Sequence, residues 1–444
     1  MPPDVTPACD AVIVGGGPGG AAAALVLARA GLRAVVLEKA RFPRFHIGES
    51  LLPRAFPLID ELGLAEKVRA LPHAPKLGAE FGMGDDPQTS RFTFDQGLLP
   101  GFATMNIARA EFDQLLLDEA RAAGAEVREG VAVDRVGQLR DGAVSVTTAT
   151  GEEIRGRYLL DASGQSTLVG RHLGTRKPAD DPHLRKVAYF GHFENVERLP
   201  GDEWGHPGII MCDEGWFWLI ALDETRTSVG FVADPSLVKR AGVPAGRMLA
   251  WAVARCPVVR DRMARATGDT TTNQVLADFS YTCRPYAGPG YFLVGDAAAF
   301  LDPIFSTGVT LAMLSGVEAA RHTIALIRHG APAARARRNY IRYVERGSRP
   351  LWRLIRRYYQ HSFRELFLNG AGPMRMHKAV ISALAGQVFP RPAWCLRWRL
   401  RAFEWCVRLN KFLPLVPRRP RFSLLASDAA GVNAPGGEPR IMGS

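Results

Sequence analysis

A glycine-rich turn near the start of the sequence has the composition needed to bind phosphate groups. Gly15, Gly17 and Gly20 follow the G-x-G-x-x-G spacing, and Gly16 and Gly19 fill two positions between them. Such residues allow a tight turn, the approach of a pyrophosphate to the backbone, and close packing of the next helix. The first N–H groups of that helix lack partners and favour anions. We therefore expect these five glycines to bind a dinucleotide.

A predicted strand, helix and second strand surround this turn. The apolar run at 12–14 is typical of a buried parallel strand, the alanine-rich segment at 18–30 predicts a helix, and residues 34–38 predict the second strand. Glu38 ends that strand, 18 residues after Gly20, where a carboxylate can bind ribose hydroxyl groups. The pattern predicts a Rossmann-type domain with Glu38 as a cofactor contact.

A second acidic residue indicates which dinucleotide is bound. The segment "VGDAA" at 294–298 follows an apolar strand pattern and places Asp296 where a carboxylate can accept hydrogen bonds from a flexible polyol. A ribityl chain is such a polyol, so the pattern favours FAD; the alternative is that Asp296 caps the helix that follows. Because a second G-x-G-x-x-G motif for NAD(P)H is lacking, we expect the reductant to come from a separate flavin reductase.

Two further segments have unusual compositions. The loop "FPRFHIGESLLP" at 42–53 combines prolines, phenylalanines, a histidine and an acid, and by composition alone it could equally be a surface loop with an apolar anchor. The sequence "STG" at 306–308 precedes an apolar helical pattern. The N-terminus of that helix suits an anion or the pyrimidine edge of a flavin.

Composition limits the class of protein. A chain of 444 residues exceeds the size of one hydrophobic core, and 47% hydrophobic with 23% charged residues is ordinary for a globular protein. No uncharged apolar stretch is long enough for a membrane helix, and the N-terminal segment does not resemble a secretory signal, so we expect a cytoplasmic protein. The six cysteines lack metal-binding spacing, and no metal is expected.

The order of the predicted elements indicates an α/β fold with several parts. Alternating apolar segments such as "GWFWLIAL" predict an antiparallel sheet inserted into the Rossmann-type domain, and basic helical segments follow. We expect an FAD-binding domain at 1–180 and 275–330, a substrate-side β-sheet domain at 75–105 and 181–274, a basic helical C-terminal region at 331–425, and a disordered tail at 426–444.

Three motifs together resemble one family. "FPRFHIGESLLP", "GWFWLI" and "YFLVGDAAAFLDPIFSTGVTLA" are similar to segments of the flavin-dependent halogenases, which belong to the p-hydroxybenzoate-hydroxylase-like FAD proteins, and the resemblance covers roughly residues 8–365. It implies that FADH2, O2 and chloride or bromide form hypohalous acid, which halogenates an electron-rich aromatic ring. Phe305 stands where tryptophan halogenases carry a glutamate, which favours the branch that acts on phenols, pyrroles or carrier-bound aryl groups.

The resemblance also assigns roles around the flavin. Glu49 and Ser50 of the G-E-S loop and Val309 would contact the cofactor. The backbone amides of Thr307 and Gly308 would bind the halide, a role that suits N–H donors at a helix N-terminus. Arg109, at the start of a predicted helix, is a further expected cofactor contact.

The catalytic assignment falls on one lysine. In "HAPKLGAEF" at 73–81, the resemblance makes Lys76 the catalytic residue, whose ammonium would polarise hypohalous acid or whose amine would form a haloamine. A solvated loop lysine is the alternative. Trp216 and Trp218 match the W-x-W-x-I motif on the substrate side of the flavin, together with Phe305. Ala221 replaces the proline that follows in the family, so paired strand aromatics remain an alternative.

The basic charge is concentrated near the C-terminus. Residues 331–421 hold 21 Lys and Arg against 3 acids, a net +18, so the rest of the +12 chain carries −6. The segment 391–422 interleaves tryptophans with eight arginines and a lysine. It could be a helix internal to the fold, a docking surface for an acidic acyl or peptidyl carrier protein, or a peripheral membrane contact. A nucleic-acid partner is not expected.

Other functions stay open at this stage. A halide-independent FAD monooxygenase or a geranylgeranyl-reductase-like ene-reductase would explain the missing proline after Ile220 and the basic, aromatic C-terminus. A flavin- or carrier-binding accessory protein without turnover is a third hypothesis. It leaves the match at Lys76 and Glu49 without a reason.

Overall fold

The structure is a computed structural model that describes residues 8–99, 101, 103–268, 274–277, 279–369 and 373–426. Except for Ala426, the predicted disordered tail at 426–444 lies outside these described residues.

Within the described residues, the strands form four sheets. In chain order they are β1 Cys9–Val14, β2 Ala34–Glu38, β3 His73–Lys76, β4 Gly78–Met83, β5 Ser90–Thr93, β6 Thr104–Ile107, β7 Glu126–Glu129, β8 Val133–Arg140, β9 Ala143–Thr148, β10 Glu153–Asp161, β11 Arg176–Pro178, β12 Val187–Glu194, β13 Gly208–Cys212, β14 Gly215–Ala221, β15 Arg226–Ala233, β16 Gln274–Ala277, β17 Tyr281–Cys283, β18 Ala287–Gly288, β19 Tyr291–Leu293 and β20 Ala299–Phe300.

The α-helices lie around these sheets, and the longest follow the last strands. They are α1 Pro18–Arg29, α2 Ala55–Glu61, α3 Ala65–Arg69, α4 Arg109–Ala122, α5 Leu168–His172, α6 Pro235–Ala241, α7 Met248–Arg255, α8 Pro257–Arg262, α9 Gly308–Arg328, α10 Ala333–Tyr358, α11 His361–Leu368, α12 Met376–Leu384 and α13 Trp394–Leu409.

The predicted Rossmann-type unit is present. Its parallel strands run in the order β7-β2-β1-β10-β19, with β18 added antiparallel at one edge and β9 and β8 extending antiparallel from the first half of β10. Strand β2 is buried along its whole length, as expected for a parallel sheet covered on both faces. Helix α1 packs against α9 and α4. The carboxyl ends of β1 and β19 therefore carry the glycine turn and Asp296 to the same edge.

A second sheet has the order β16-β12-β15-β14-β13-β4-β5. All neighbouring strands are antiparallel except β13 and β4, which are parallel. Strands β4 and β5 come from an earlier part of the chain than the rest of the sheet. Trp216 and Trp218 point from β14 into the core shared with the Rossmann-type unit, whereas Phe217 and Leu219 point to a smaller core under α6, α7 and α8. The alternation of side chains thus sets one face of this sheet toward the FAD-binding unit.

The C-terminal helices share the main core. Tyr340 of α10 donates a hydrogen bond to the carbonyl of Leu293 at the end of β19, and α13 buries Leu396 and Phe403. The predicted α/β fold, with a Rossmann-type unit, a mostly antiparallel second sheet and a helical C-terminal region, is confirmed.

Close packing within the second sheet gives a stability prediction. A Cβ at Gly230 of β15 would lie 2.2 Å from Cζ2 of its cross-strand neighbour Trp218. Gly230→Ala should therefore lower the free energy of unfolding by about 1–3 kcal/mol, because the buried indole must move. Urea denaturation measures this loss.

The matched control is Gly191→Ala in the neighbouring strand β12. The nearest atoms to a Cβ there belong to Phe193, at 3.4 Å, an ordinary contact distance. The control should be close to neutral, and equal losses for the two variants would contradict the packing argument.

Candidate active site

The glycine turn leaves room for a phosphate group. Gly15 has a φ of +102°, and a Cβ at Gly20 would lie 1.9 Å from the Gly15 carbonyl oxygen, so neither position tolerates a side chain. At Gly17 the nearest atom to an added Cβ is Arg44 Nη2, at 3.5 Å. Gly17 caps α1 without a side-chain hydrogen bond, and the first N–H groups of that helix face this space. The cradle fits a pyrophosphate.

Glu38 shapes this turn. Its Oε2 accepts a hydrogen bond from the Gly16 backbone N at 2.7 Å, and its Oε1 accepts one from the Ala40 backbone N at 2.8 Å. The side chain is buried at the end of β2. Each carboxylate oxygen keeps a second lone pair, so Glu38 can hold the turn and still accept from a ribose hydroxyl group.

Arg109 ties the loop at 42–53 to α4. Its Nε and Nη2 donate to the two oxygens of Asp113 at 2.7 and 2.8 Å, and its Nη1 donates to the Ile47 carbonyl oxygen at 2.8 Å. Burial lowers the pKa of Arg109, but Asp113 more than offsets this, so the net shift is upward. A Cβ at Gly48 would lie 3.1 Å from Arg109 Nη1 and 3.8 Å from Val309 Cγ2. The loop therefore runs between α4 and the start of α9.

Asp296 lies in a short turn, Gly295–Ala297, directly after β19. In the described part of the chain no group donates a hydrogen bond to its carboxylate, although Tyr281 donates to its backbone carbonyl. Burial raises its pKa to about 6, with Arg109 opposing that rise. The following α-helix, α9, begins only at Gly308, so the capping alternative is wrong. The free carboxylate suits a polyol such as a ribityl chain.

The expected halide residues share a cavity with Asp296. The cavity is small and partly open to solvent, and Thr307, Gly308, Tyr343 and Trp352 are among its lining residues. Thr307 caps the 21-residue helix α9 without a side-chain hydrogen bond, which leaves the N–H groups of the first turn available. A helix N-terminus of this kind can hold a halide or the electron-rich edge of a flavin.

A strained backbone segment precedes this helix. Ser306 has a φ of +55°, a left-handed conformation that non-glycine residues rarely adopt. Asp302 holds the preceding turn: its Oδ1 accepts from the Ile304 backbone N at 2.9 Å, and its Oδ2 accepts from the Tyr359 hydroxyl. Burial raises the pKa of Asp302 to about 6, and the Tyr359 hydrogen bond opposes the rise. This network positions Thr307 and Gly308.

Lys76 is the last residue of β3 and is only 3% exposed. Its Nζ donates to the Leu51 carbonyl oxygen at 3.0 Å and lies 5.6 Å from the centre of the Phe94 ring. No carboxylate within the described ranges forms an ion pair with it, and burial lowers the pKa of Lys76 from 10.5 to about 7. The alternative of a solvated loop lysine is wrong, and both the amine and the ammonium are populated near neutral pH.

Unpaired polar atoms surround Lys76. Strands β3 and β6 pair Lys76 with Thr104, and Ser50 bridges to Asn106 on the other side of β6, so these four side chains share one face. Thr104 Oγ1, Asn106 Oδ1 and Ser50 Oγ are buried and have no partner among the described residues, and neither do the two ring nitrogens of the nearby His206. Because buried polar groups are normally hydrogen-bonded, this face has the capacity to bind a polar ligand.

Glu49 has a partner that the sequence did not indicate. Its Oε1 lies 2.7 Å from Nε2 of His192 on β12, while its Oε2 is buried and unpaired among the described residues. The alternation along β12 was a usable signal, since His192 shares a face with Ala188 and Phe190, which belong to the main core. Asp302 and Tyr359 gave no such signal, because they are 57 residues apart.

The two tryptophans form part of a buried aromatic wall. Trp216 Nε1 donates to the Tyr359 hydroxyl at 3.1 Å, and Trp218 Nε1 donates to Ser228 Oγ at 3.1 Å, so neither indole has a free donor. Ring centroids 5.8–6.5 Å apart connect the loop at 42–53 to the segment before α9, in the order Phe45, Phe190, Trp218, Trp216, Tyr358 and Phe305. Phe190, Trp218 and Trp216 lie on the second sheet, whereas Phe45 comes from the loop and Phe305 and Tyr358 from segments around α9 and α10.

The predicted site residues therefore form two groups. Around the carboxyl edge of the Rossmann-type sheet lie Gly15, Gly16, Gly17, Gly19, Gly20, Glu38, Arg109, Asp296, Thr307, Gly308 and Val309. Lys76 lies on the small β3–β6 sheet, and the G-E-S loop connects the two groups through Leu51, which accepts from Lys76, and Gly48, which faces Val309. One loop thus joins the edge of the Rossmann-type sheet, which has the groups to bind a dinucleotide, to the polar face that carries the Lys76 amine.

Comparison with known proteins places this arrangement in a class. Residues 8–337 match the FAD binding domain family, so the chain is an FAD-binding protein. It is 30% identical over 407 residues to the 1H-pyrrole-2-carbonyl-[peptidyl-carrier protein] chlorinase of Pseudomonas fluorescens, a match that covers 86% of this chain and 89% of that relative. The identity and coverage of this match show that the chain belongs to the flavin-dependent halogenase family.

Solved structures agree with this assignment. The structure of the flavin-dependent brominase Bmp2 is similar at 28% identity with a TM-score of 0.79, covering 90% of this chain and 99% of that one. A flavoprotein/dehydrogenase from Cytophaga hutchinsonii is also similar, at 25% identity with a TM-score of 0.79, covering 91% and 99%.

The burial of Lys76 predicts a pH dependence of stability. Its pKa is about 7 in the folded chain and 10.5 when solvated, so between these values the unfolded chain binds more protons. The free energy of unfolding should therefore rise with pH across this window, by up to about 1.4 kcal/mol per pH unit. Chemical denaturation of the wild type and Lys76→Met between pH 7 and pH 10 isolates this contribution as the difference between the two.

The free energy of unfolding of the wild type minus that of Lys76→Met should increase as the pH rises, because the methionine has no proton to lose. A difference that stays constant with pH would contradict the burial of the amine.

Proposed function

We propose that this protein is an FAD-dependent halogenase that uses chloride or bromide to halogenate an electron-rich aromatic compound. The observation that carries the proposal is Lys76: a buried amine without a carboxylate partner in the described chain, on a face with unpaired polar groups. FAD bound in its reduced form would supply, with O2, the oxidant that converts halide to hypohalous acid.

The chain's own residues would hold this cofactor. The glycine turn and the start of α1 would bind the pyrophosphate, Glu38 the ribose, and Asp296 the ribityl chain. Val309 and the G-E-S loop with Glu49 and Ser50 would contact the flavin ring. Because Arg109 donates to Asp113 and to the Ile47 carbonyl oxygen of that loop, we assign it an indirect role in cofactor binding, through the position of the loop.

The halide would bind at the start of α9. The backbone N–H groups of Thr307 and Gly308 are donors at a long helix's N-terminus, and the half-closed cavity limits competition from water. Asp302 and Tyr359 hold the preceding turn in place. Phe305 and the tryptophan wall would exclude water from the substrate side.

Lys76 would then control the transfer of halogen. In its ammonium form, Nζ transfers a proton to the oxygen of hypohalous acid; the O–X bond breaks as a ring carbon bonds to X, the oxygen leaves as water, and the proton of that ring carbon returns to the Nζ amine. In its amine form, Nζ attacks X, releases water and forms a haloamine that halogenates the ring. A pKa of about 7 makes both forms available at neutral pH.

The proposed substrate is a phenol, a pyrrole or an aryl group tethered to an acyl or peptidyl carrier protein. A relative acts on a pyrrole-2-carbonyl group attached to a peptidyl carrier protein, which supports the tethered form. Phe305 in place of an acidic residue fits a ring without a positively charged side chain. A separate flavin reductase would supply FADH2.

The first test is Lys76→Ala. Halogenated product should fall at least about a hundredfold, because the amine is needed for transfer, while oxidation of FADH2 continues. Lys67→Ala is a control at an exposed lysine of α3, which pairs with Glu119 and lies outside the proposed site; it should retain halogenation at the wild-type rate. Retention of FAD and circular dichroism establish folding for both variants.

Halogenation by Lys76→Ala at the wild-type rate would show that Lys76 does not take part in halogen transfer. Loss of FADH2 oxidation in that variant would instead indicate a defect in the cofactor site.

A second candidate is a halide-independent FAD monooxygenase or a geranylgeranyl-reductase-like ene-reductase. Ala221 at the position of the family's proline and the similarity to a flavoprotein/dehydrogenase favour it. Incubation with FADH2, O2 and a panel of phenols and pyrroles, free and carrier-loaded, should give product only when bromide or chloride is present. Mass spectrometry detects the halogen by its isotope pattern, and an oxygenated or reduced product formed without halide would establish the second candidate.

A further inference from the structure

Helix α13 has more than one apolar stripe. Leu396, Leu400, Phe403 and Val407 face the main core and are at most 5% exposed. This stripe fully explains why the helix is anchored to the fold. The remaining apolar residues of the helix are therefore not needed to anchor it, and their presence requires a different explanation.

The second stripe faces away from the protein. Trp394, Trp405 and Leu409 are 74%, 61% and 51% exposed. At about 100° per residue, these side chains fall within an arc of about 60° on the side opposite the buried stripe. The partly exposed Trp398 lies within the same arc and contacts Trp394, with ring centroids 6.3 Å apart.

The apolar surface continues beyond the end of the helix. Phe412, Leu413 and Leu415 are 87%, 62% and 42% exposed. We call Trp394, Trp405, Leu409, Phe412, Leu413 and Leu415 the C-terminal apolar surface. These six are most of the ten large apolar side chains exposed in the described chain, and they lie within 22 residues. Such a concentration marks an interaction site.

Cations border this surface. Arg397, Arg401 and Arg408 occupy an adjacent arc of the helix, and Lys411 lies next to Phe412. All four are exposed, and none forms an ion pair within the part of the chain that the structure describes. Glu404 is the one acid among the nine basic residues of 391–422. The charge complements an anionic partner.

We propose that the C-terminal apolar surface docks onto a lipid bilayer that contains anionic headgroups. The apolar side chains run along the outer face of α13 and over the turn that follows it, an arrangement that suits shallow insertion of a helix lying along a bilayer surface. Tryptophans favour the interfacial region of a bilayer, and the arginines and the lysine can reach the headgroups. No helix of the described chain is long and apolar enough to span a bilayer, so the contact is peripheral.

Other occupants fit less well. The segment 427–444 holds few large apolar residues, chiefly Ile441 and Met442, and cannot cover six bulky side chains. An acidic carrier protein would satisfy the arginines, but it would not require a tip as exposed as Phe412. A second copy of the chain would bring like charges together, which opposes association. Carrier binding and self-association are therefore outcomes that would overturn the proposal.

The test is sedimentation of the full-length FAD-loaded protein with lipid vesicles. The protein should bind vesicles of phosphatidylcholine that contain phosphatidylglycerol, and at least about tenfold more weakly vesicles of phosphatidylcholine alone. Phe412→Ser with Leu413→Ser should weaken binding to anionic vesicles at least about tenfold, and so should Arg397→Glu with Arg401→Glu. Raising the salt concentration should weaken the wild type in parallel.

Matched controls alter exposed residues elsewhere. Leu173→Ser removes another exposed leucine, and Lys239→Glu with Arg240→Glu reverses two exposed cations on α6. Both controls should bind vesicles as the wild type does. Brominated acyl chains should quench the fluorescence of the wild type more than that of Trp394→Phe with Trp405→Phe, a readout of insertion that does not depend on enzyme activity.

Three results would overturn the proposal. The wild-type protein could fail to sediment with anionic vesicles, or the surface variants could bind them as tightly as the controls do. Size-exclusion chromatography could also show a dimer or carrier complex that the serine variants abolish, with no vesicle binding. Because none of these readouts measures halogenation, the result is separate from that of the proposed function.

Discussion

The burial of one amine without a counter-charge is the constraint on which the site depends. Lys76 loses its hydration when β3 packs against β6, and one carbonyl, that of Leu51, compensates it directly. A lysine so placed destabilises the folded chain at neutral pH, because its charged form is disfavoured. The surrounding fold must supply the compensating free energy, and the shared core of the sheets and C-terminal helices is what supplies it. The unpaired amine of Lys76 is thus kept at the expense of stability.

The loop that carries the Leu51 carbonyl is itself fixed at several points. Arg109 binds it through Ile47, β6 pairs with it at Ser50, and His192 holds Glu49. Two of these contacts come from the adjacent elements β6 and α4 and the third from β12, so the loop is positioned by the assembled fold rather than by its own conformational preference. It therefore connects the edge of the Rossmann-type sheet with the polar face that carries the Lys76 amine.

Local patterns predicted the Rossmann-type unit well, because its strand, glycine turn, helix and acid are contiguous and each has a specific spacing. The position of Asp296 at the same edge followed from the rule that parallel strands end together. The pairing of Glu49 with His192 and of Asp302 with Tyr359 depends on contacts between distant segments; alternation along β12 can place His192 on the core face but does not identify its partner. The burial of Lys76 likewise depends on β6, and the motif alone left a solvated lysine as an alternative.

The cavity beside Asp296 has walls of two origins. The segment 295–308 comes from the Rossmann-type unit, whereas Tyr343 and Trp352 come from α10 and Phe389 from the connection between α12 and α13. Substitutions on this C-terminal wall change the shape of the cavity without replacing Asp296, Thr307 or Gly308 on the opposite wall. The two walls can therefore evolve separately, one setting the shape of the cavity and the other keeping its polar groups.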